Sequence, residues 1–188
     1  MRRVLFVNAN TERLPDPVYP LGAATAATAL QDAGHQVRTL DLCFERDGPA
    51  ALSRALRKHN PEVLALSLRN LDSSAFPNTR SFAADYTALV KAARGWGPLP
   101  VVLGGSGFTC LPESVLDASG ADFGVVGEGE LALPWLLDQI RHGLTPASDE
   151  TFEVQRRGPA VLVRSRRYCD GLDGLPRVDR SLFDAARY

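Results

Sequence analysis

Four short clusters in the sequence combine small residues with side chains that can form hydrogen bonds. They contain glycines, serines and asparagines together with one arginine and three carboxylates, and they occupy residues 8–10, 67–72, 104–107 and 127–130. Glycine tolerates positive φ and allows another group to approach the backbone closely. The clusters therefore predict a site at which a ligand lies against the backbone.

Phosphate binding is the first chemistry that such clusters could serve, and the motifs argue against it. Residues 104–107 (Gly-Gly-Ser-Gly) lack the following Gly-Lys-Ser/Thr of a P-loop. Residues 8–13 contain no glycine for a dinucleotide fingerprint, and asparagines stand where a receiver domain would need clustered aspartates. A tight strand-to-helix turn without any ligand remains the alternative explanation of residues 104–107.

Apolar runs that alternate with helical patterns define the elements that must position these clusters. Strands are predicted at 4–8, 36–42, 63–68, 101–105 and 123–127, and helices at 21–34, 49–59, 81–95, 111–120 and 131–143. Strands that are buried on both faces by helices form an open parallel sheet. We predict an α/β, doubly wound, flavodoxin-like domain with five parallel strands in the order 2-1-3-4-5.

The same topology predicts where the four clusters meet. In an open α/β sheet, ligands bind beyond the carboxyl ends of the strands, beside the point where the strand order reverses. Each cluster follows the carboxyl end of a predicted strand, so we expect all four to line one crevice at this edge.

The last part of the chain departs from the alternating pattern. Residues 151–157 and 160–166 flank a Gly-Pro pair and predict a β-hairpin, and a segment rich in Gly, Pro and Asp follows it. We divide the chain into a Rossmann-like domain at residues 1–145 and a hairpin with a linker at residues 146–188. The linker reaches its end without a helix or a cap, so we expect more protein to follow.

Composition and charge exclude several classes of function. The formal net charge is −1 at pH 7, which gives no basis for a nucleic-acid or anionic-membrane partner. No apolar run approaches the roughly 20 residues that span a bilayer. Cys43, Cys110 and Cys169 are widely spaced and form no C-x-x-C pair, so we expect free thiols and no metal site built by this chain. A cytoplasmic location is the resulting expectation.

In the order of its motifs, the chain resembles the N-terminal cobalamin-binding domain of B12-dependent radical SAM enzymes. The motifs that carry this resemblance are VNAN (7–10), PLGAATAATAL (20–30), PEVLALSLRNLD (61–72), FPNTR (76–80), VVLGGSGFTCLPE (101–113), GADFGVVGEGE (120–130) and LPRVDRSLFDAARY (175–188). They run nearly from end to end of the chain. The resemblance implies that cobalamin is the cofactor.

In that family the closing segment leads into a barrel that holds a [4Fe–4S] cluster on a CxxxCxxC motif, which this sequence lacks. The resemblance therefore implies that the cluster and S-adenosylmethionine belong to a radical SAM barrel elsewhere in a parent chain, and that this chain alone is not catalytic. In the parent, cobalamin would pass a methyl group from S-adenosylmethionine to a substrate. The Arg-Asn-Leu-Asp run at 69–72 resembles members that methylate carbon 2 of tryptophan.

Two other functions stay open on the sequence. A non-catalytic module could use the same fold to sense cobalamin or another ligand, although the linker-like residues 165–188 favour attachment to a catalytic barrel. A flavodoxin-like protein could bind a flavin or a nucleotide, although residues 8–13 offer few groups that hold phosphate.

The motifs of other cobalamin-binding domains draw attention to the lower face of cobalt. After strand 1 those domains carry D-x-H-x-x-G, whose histidine ligates cobalt, but here Asn8 and Asn10 occupy the aspartate and histidine positions. In their S-x-L motif, Ser67 matches the serine and Arg69 replaces the leucine. The resemblance thus implies base-off cobalamin without a histidine ligand. Arginine has no lone pair to donate, so Arg69, the one catalytic candidate, would fill the axial space and act through its charge. A surface ion pair with Asp72 is the alternative.

The remaining site residues follow from the same resemblance. Gly104 and Gly105 match a glycine pair. We expect them, together with Gly107, to line a pocket for the displaced nucleotide tail, with Ser67 bonded to its ring nitrogen. Helix residues 22–29 are small and leave room beside the tail. The acidic residues of cluster 127–130 either contact corrin amides or favour the positive end of a helix. The full set assigned to the cofactor is Asn8, Asn10, Leu21, Gly22, Ser67, Leu68, Arg69, Asn70, Asp72, Gly104, Gly105, Ser106, Gly107, Phe108, Gly127, Glu128, Gly129 and Glu130.

Overall fold

The computed structural model of the chain describes residues 1–73, 77–166 and 171–188. The strands are β1 (Arg3–Asn8), β2 (Gln36–Asp41), β3 (Val63–Ser67), β4 (Val101–Gly104), β5 (Phe123–Val126), β6 (Phe152–Arg157) and β7 (Ala160–Ser165). The helices are α1 (Leu21–Asp32), α2 (Gly48–His59), α3 (Ala83–Trp96), α4 (Ser106–Cys110), α5 (Pro112–Ser119) and α6 (Gly129–Arg141). Every strand and helix predicted from the sequence is present close to its predicted bounds.

The sheet confirms the predicted parallel order β2-β1-β3-β4-β5 and extends it by two strands. The prediction of a five-stranded sheet is therefore corrected to seven strands, because β7 pairs parallel with β5 and β6 pairs antiparallel with β7. The physical reason lies in β7, whose residues 160–163 are all buried. An apolar strand of this kind must be covered, and the open edge of β5 supplies the hydrogen-bond partner.

Helices cover both faces of the sheet and create two separate cores. On one face, Leu52 of α2, Leu89 of α3 and Leu116 of α5 pack against the strands. On the other face, Leu30 of α1 and Leu136 of α6 are fully buried. α1 is rich in alanine. Its short side chains let its backbone lie close to the sheet and to α6, and they do not fill the space between these elements.

A short helix that the sequence did not predict follows β4 directly. α4 begins at Ser106, and Leu111, whose backbone is not helical (φ −139°, ψ 58°), separates it from α5, which Pro112 opens. The prediction of a single helix at 111–120 missed it because five residues are too few to show a helical period. Phe108 of α4 is completely buried and lies against Gly124 of β5.

The tail at residues 171–188 lies on the surface formed by α1 and β2. Phe183 is buried, with 2% of its surface exposed. The Thr39 hydroxyl of β2 donates a hydrogen bond to the carbonyl of Leu182. These contacts bring the tail to the carboxyl edge of the sheet, where Tyr188 lies against the ends of β1 and β2.

Some sequence predictions concern residues outside the described ranges, namely Phe76 of the FPNTR motif and Cys169. Cys43 and Cys110 are free thiols, as expected. Within the described ranges, no helix combines the length and the apolar character that crossing a membrane requires.

Replacing Gly124 by alanine should destabilise the fold, because β5 has no room for a side chain there. A Cβ at this position would collide with Cζ of Phe108 and lie 2.8 Å from Cδ1 of Leu162. Overpacking of this kind costs about 1–3 kcal/mol, which urea unfolding followed by circular dichroism would measure. Open space surrounds the Cβ position of Gly95 in α3, so Gly95→Ala should be neutral or stabilising. Equal stability of Gly124→Ala and the unsubstituted chain would contradict this packing.

Candidate cofactor pocket

A cavity of about 470 Å³ opens at the carboxyl edge of the sheet and extends between the sheet and the helices α1 and α6. Strand residues, the first two turns of both helices and the loops after the strands line it. The lining residues that the sequence predicted are Asn8, Leu21, Gly22, Ser67, Arg69, Gly104, Gly105, Ser106, Gly127, Glu128, Gly129 and Glu130. The four clusters therefore do converge at the predicted edge.

The floor of the cavity consists of two rows of residues that run across β1, β3 and β4. The inner row is apolar and the outer row is small and polar. In register order, the inner row is Phe6, Ala65 and Val102, and the outer row is Asn8, Ser67 and Gly104. Residues two apart on a strand share one face and lie about 7 Å from each other. The change from apolar to polar therefore happens over a single step along each strand.

Small residues on α1 and at the start of α6 leave room in part of the opposite wall, which also carries two leucines. Gly22, Ala23 and Ala26 of α1 line the cavity, and Gly129 begins α6 beside them. A Cβ on Gly129 would lie 3.4 Å from Cβ of Ala26, so the two helices approach closely at this point. The small residues predicted within 22–29 thus border open space, as their size requires.

Three polar side chains in the cavity have no hydrogen-bond or ion-pair partner among the described residues. They are the Ser67 hydroxyl in the outer row, the guanidinium of Arg69 beyond it and the carboxylate of Glu130 in the first turn of α6. The ion pair between Arg69 and Asp72 that the sequence left open is not formed, and Asp72 instead pairs through its backbone with Ser81. Ser106 Oγ donates to the Arg69 carbonyl at 2.9 Å, which fixes the backbone from which the guanidinium extends.

The two asparagines after β1 differ in position. Asn10 is buried and lies outside the cavity lining, because its Oδ1 accepts from the Glu12 N–H at 3.2 Å and its Nδ2 donates to the Glu12 carbonyl. Asn8 lines the cavity, but its Nδ2 donates to Asp41 Oδ1 at 2.8 Å. The structure therefore does not bring Asn10 to the cavity, where the sequence predicted it, and instead engages it in its own loop.

The glycines after β4 are required by a neighbouring backbone. A Cβ on Gly105, which has φ +95°, would lie 2.6 Å from the carbonyl oxygen of Leu68. A Cβ on Gly107 would lie 2.9 Å from backbone atoms of Asn70. The Gly107 N–H also donates to the Leu68 carbonyl at 2.9 Å. The sequence predicted a ligand close to this turn, whereas the group that lies close to Gly105 and Gly107 is the loop after β3.

Six predicted residues lie outside the cavity lining: Asn10, Leu68, Asn70, Asp72, Gly107 and Phe108. Leu68 and Phe108 are fully buried in the core under α2, α3 and α5. The Asn70 carbonyl accepts a hydrogen bond from Tyr86 Oη, and burial raises the pKa of that phenol. These residues were assigned through their place in a motif, and a motif does not reveal which face of the sheet a side chain occupies.

Other lining residues are absent from the set that the sequence assigned to the cofactor, although two of them belong to the small residues predicted within 22–29. They are Phe6, Val18, Tyr19, Pro20, Ala23, Ala26, Ala65, Leu66, Val102, Leu103, Val125 and Leu133. Counting back two positions from Asn8 and Ser67 along their strands would have found Phe6 and Ala65. No comparable signal marks the loop residues 18–20.

Tyr188 of the tail supports the loop of residues 9–20, which borders the cavity. Its Oη donates to Asp41 Oδ2 at 2.6 Å and accepts from Asn8 Nδ2 at 3.5 Å. The rings of Tyr188 and Tyr19 meet edge to face with centroids 5.6 Å apart. Burial and the neighbouring Asp41 carboxylate raise the pKa of Tyr188, so its phenol stays protonated.

The three histidines lie at the opposite edge of the sheet. His35 follows α1, His59 ends α2 and His142 follows α6, and each helix runs antiparallel to the strands. None of the three lines the cavity. Nor does the described part of the chain contain a group of three or more His, Cys, Asp or Glu side chains that could hold a metal ion. The cavity therefore offers no imidazole to the metal of a bound cofactor.

The fold and the cavity together define the class of protein. The sequence profile described as the B12 binding domain matches residues 7–137, from the end of β1 to the last turns of α6. The chain belongs to the B12-binding domain family.

Proteins to which the chain is similar include methyltransferases. The chain is 31% identical over 131 residues to the tryptophan 2-C-methyltransferase of Streptomyces laurentii, a match that covers 69% of this chain and 22% of the relative. A solved structure of the radical S-adenosylmethionine methyltransferase TsrM from Kitasatospora setae, with tryptophan and a SAM analogue bound, matches with a TM-score of 0.72 and 30% identity. This match covers 86% of this chain and 29% of TsrM.

A second TsrM structure contains cobalamin and a [4Fe–4S] cluster, and it matches with the same TM-score of 0.72 and 30% identity over 85% of this chain and 28% of TsrM. The resemblance predicted from the motifs is thereby confirmed. The chain spans less than a third of the length of these relatives.

Removing the Tyr188 ring should loosen the loop of residues 9–20 without unfolding the domain. Tyr188→Leu deletes both the hydrogen bond to Asp41 and the ring contact with Tyr19, whereas Tyr188→Phe deletes only the hydrogen bond. Amide hydrogen exchange across the loop should be several-fold faster in Tyr188→Leu and intermediate in Tyr188→Phe, while exchange in α3 stays unchanged. Identical loop exchange in all three proteins would show that Tyr188 does not support the loop.

Proposed function

We propose that this chain binds cobalamin in the cavity, in the base-off form and with no histidine on cobalt. The observation that carries the proposal is a cavity with an apolar interior and unpartnered polar side chains at its mouth, in a member of the B12-binding domain family. The nucleotide tail would lie between the sheet and α1, and the corrin ring would lie over the carboxyl edge. Family membership favours a corrin over a flavin in this position.

The lining residues suit such a tail. The free Ser67 hydroxyl can donate to the benzimidazole nitrogen that is no longer bound to cobalt, and Gly104 and Gly105 leave its path clear of side chains. Glu128 and Glu130 place carboxylates at the rim, and a carboxylate can accept hydrogen bonds from the amide groups of a corrin. The chemistry that bound cobalamin supplies is the carriage of a methyl group from S-adenosylmethionine to a substrate.

Arg69 is the residue that we propose beneath cobalt. Its guanidinium lacks a partner among the described residues, and the bond from Ser106 holds its backbone in place. Because a guanidinium has no lone pair, Arg69 would occupy the space of a lower ligand without bonding to the metal. Its fixed positive charge would favour the electron-rich state of cobalt over more oxidised states.

The proposal extends to a parent protein, because the chain covers less than a third of its methyltransferase relatives. Residues 1–145 would form the cobalamin-binding domain, and residues 146–188 would lead to a radical SAM barrel with the [4Fe–4S] cluster and S-adenosylmethionine. Tryptophan carbon 2 is the proposed methyl acceptor, since the curated relative is named for that reaction. A cytoplasmic location, suited to the free thiols of Cys43 and Cys110, belongs to the same proposal.

The cobalamin site can be tested on the purified chain. After incubation with hydroxocobalamin, gel filtration and reduction to Co(II), we expect the corrin to co-elute and its EPR spectrum to lack superhyperfine splitting from an axial nitrogen. Ala26→Leu, which places a larger side chain in the cavity, should abolish co-elution, whereas Thr25→Leu beside it on α1 should not. Nitrogen splitting would refute the proposal that no protein or base nitrogen binds the lower face of cobalt. Absence of corrin from the unsubstituted chain would refute the cobalamin site.

The charge of Arg69 should be visible in the reduction potential of bound cobalamin. Arg69→Leu removes the positive charge and should make the Co(II)/Co(I) midpoint potential more negative by on the order of tens of millivolts. Arg69→Lys keeps the charge and should shift the potential less. Spectroelectrochemical titration of the three proteins at equal cobalamin loading would measure the difference, and an unchanged potential in Arg69→Leu would disprove the role.

A further inference from the structure

The interior of the cavity offers a bound molecule almost nothing to hydrogen-bond. Inward of the outer row, the lining side chains of the described residues are all apolar: Phe6, Ala23, Ala26, Ala65, Val102, Val125 and Leu133. Each has less than a tenth of its surface exposed. The backbone N–H and C=O groups of this floor are engaged in the pairing of β1, β3 and β4. A polar group pushed into this interior would therefore lose its bonds to water without replacement.

Three of the polar side chains at the mouth form hydrogen bonds within the protein. Asn8 donates to Asp41 Oδ1 at 2.8 Å, and Tyr19 Oη donates to a carbonyl of the tail at 2.9 Å. Ser106 Oγ donates to the Arg69 carbonyl at 2.9 Å. The Ser67 hydroxyl is thus the single uncommitted hydroxyl of the described lining, and it stands at the boundary between mouth and interior.

We propose that this cavity selects among cobamides by their lower base, accepting a benzimidazole and rejecting a purine; the inference rests on the cobalamin binding proposed above. Once displaced from cobalt, a benzimidazole has one ring nitrogen that needs a partner, and Ser67 supplies it. The rest of the ring is hydrocarbon, which suits the apolar row of Phe6, Ala65 and Val102. An adenine base carries further ring nitrogens and an exocyclic amine. Burial would leave those groups unpaired, which is strongly unfavourable.

The strand register identifies the residue that sets this preference. Ala65 precedes Ser67 by two positions on β3, so it points into the same cavity about 7 Å deeper. Ala65→Ser therefore adds a hydroxyl to the apolar row without a large change in volume. Val102→Thr adds one to the same row from β4 and provides a second, independent variant.

The test is a titration of the full chain with three corrinoids: cobalamin, the cobamide whose lower base is adenine, and cobinamide, which has no nucleotide tail. We expect the unsubstituted chain to bind cobalamin at least about tenfold more tightly than the adenine cobamide. Ala65→Ser and Val102→Thr should each reduce that ratio several-fold. Ala132 of α6 is equally buried but lies outside the cavity. Ala132→Ser should therefore keep the same ratio of the two affinities as the unsubstituted chain.

The possible results distinguish the lower-base selectivity from cobalamin binding itself. Equal affinity of the unsubstituted chain for cobalamin and the adenine cobamide would overturn the selectivity and leave cobalamin binding intact. Cobinamide binding as tightly as cobalamin would also overturn it, because the tail would then lie outside the cavity. If none of the three corrinoids binds, the proposed function itself is wrong, and the selectivity is wrong with it.

Discussion

The pocket depends on one close contact between two pieces of backbone, the loop after β3 and the turn after β4. Gly105 and Gly107 permit an approach to Leu68 and its neighbours that any Cβ would prevent. A hydrogen bond from the Gly107 N–H to the Leu68 carbonyl closes this contact. Because Ser67 and Arg69 flank Leu68, the positions of both side chains follow from it. The glycines thus shape the pocket indirectly, by fixing the segment that carries these two side chains.

A second constraint is the alignment that parallel strands impose on their own sequence pattern. β1 changes from Phe6 to Asn8 and β3 from Ala65 to Ser67, in each case at the last residue of the strand on that face. The parallel register sets these changes side by side, so an apolar interior meets a polar rim along one straight boundary. The alanine-rich α1 then leaves this boundary uncovered. Shape and polarity of the pocket therefore arise from the same few strand residues.

Local patterns were sufficient to predict the five β–α units, their order and the edge at which the clusters meet, because apolar runs and stop signals are local properties. The place of β7 depends on the open edge of β5, which no local pattern encodes. The same limit applies within the site. Asn10 and Phe108 belong to the right motifs but lie outside the cavity lining, since packing decides where these side chains point. The contact between Tyr188 and Asp41 joins distant parts of the chain and left no sequence signal.

The hairpin has a further effect on how the sheet ends. Without it, the outer strand on that side would be β5, an apolar strand with unpaired N–H and C=O groups facing water. With it, the outer strand is β6, on which Glu153, Gln155 and Arg156 are exposed. Charged and polar side chains on a border strand oppose the addition of a strand from another molecule. The hairpin therefore opposes aggregation, because another copy of the protein cannot readily add a strand to the edge strand β6.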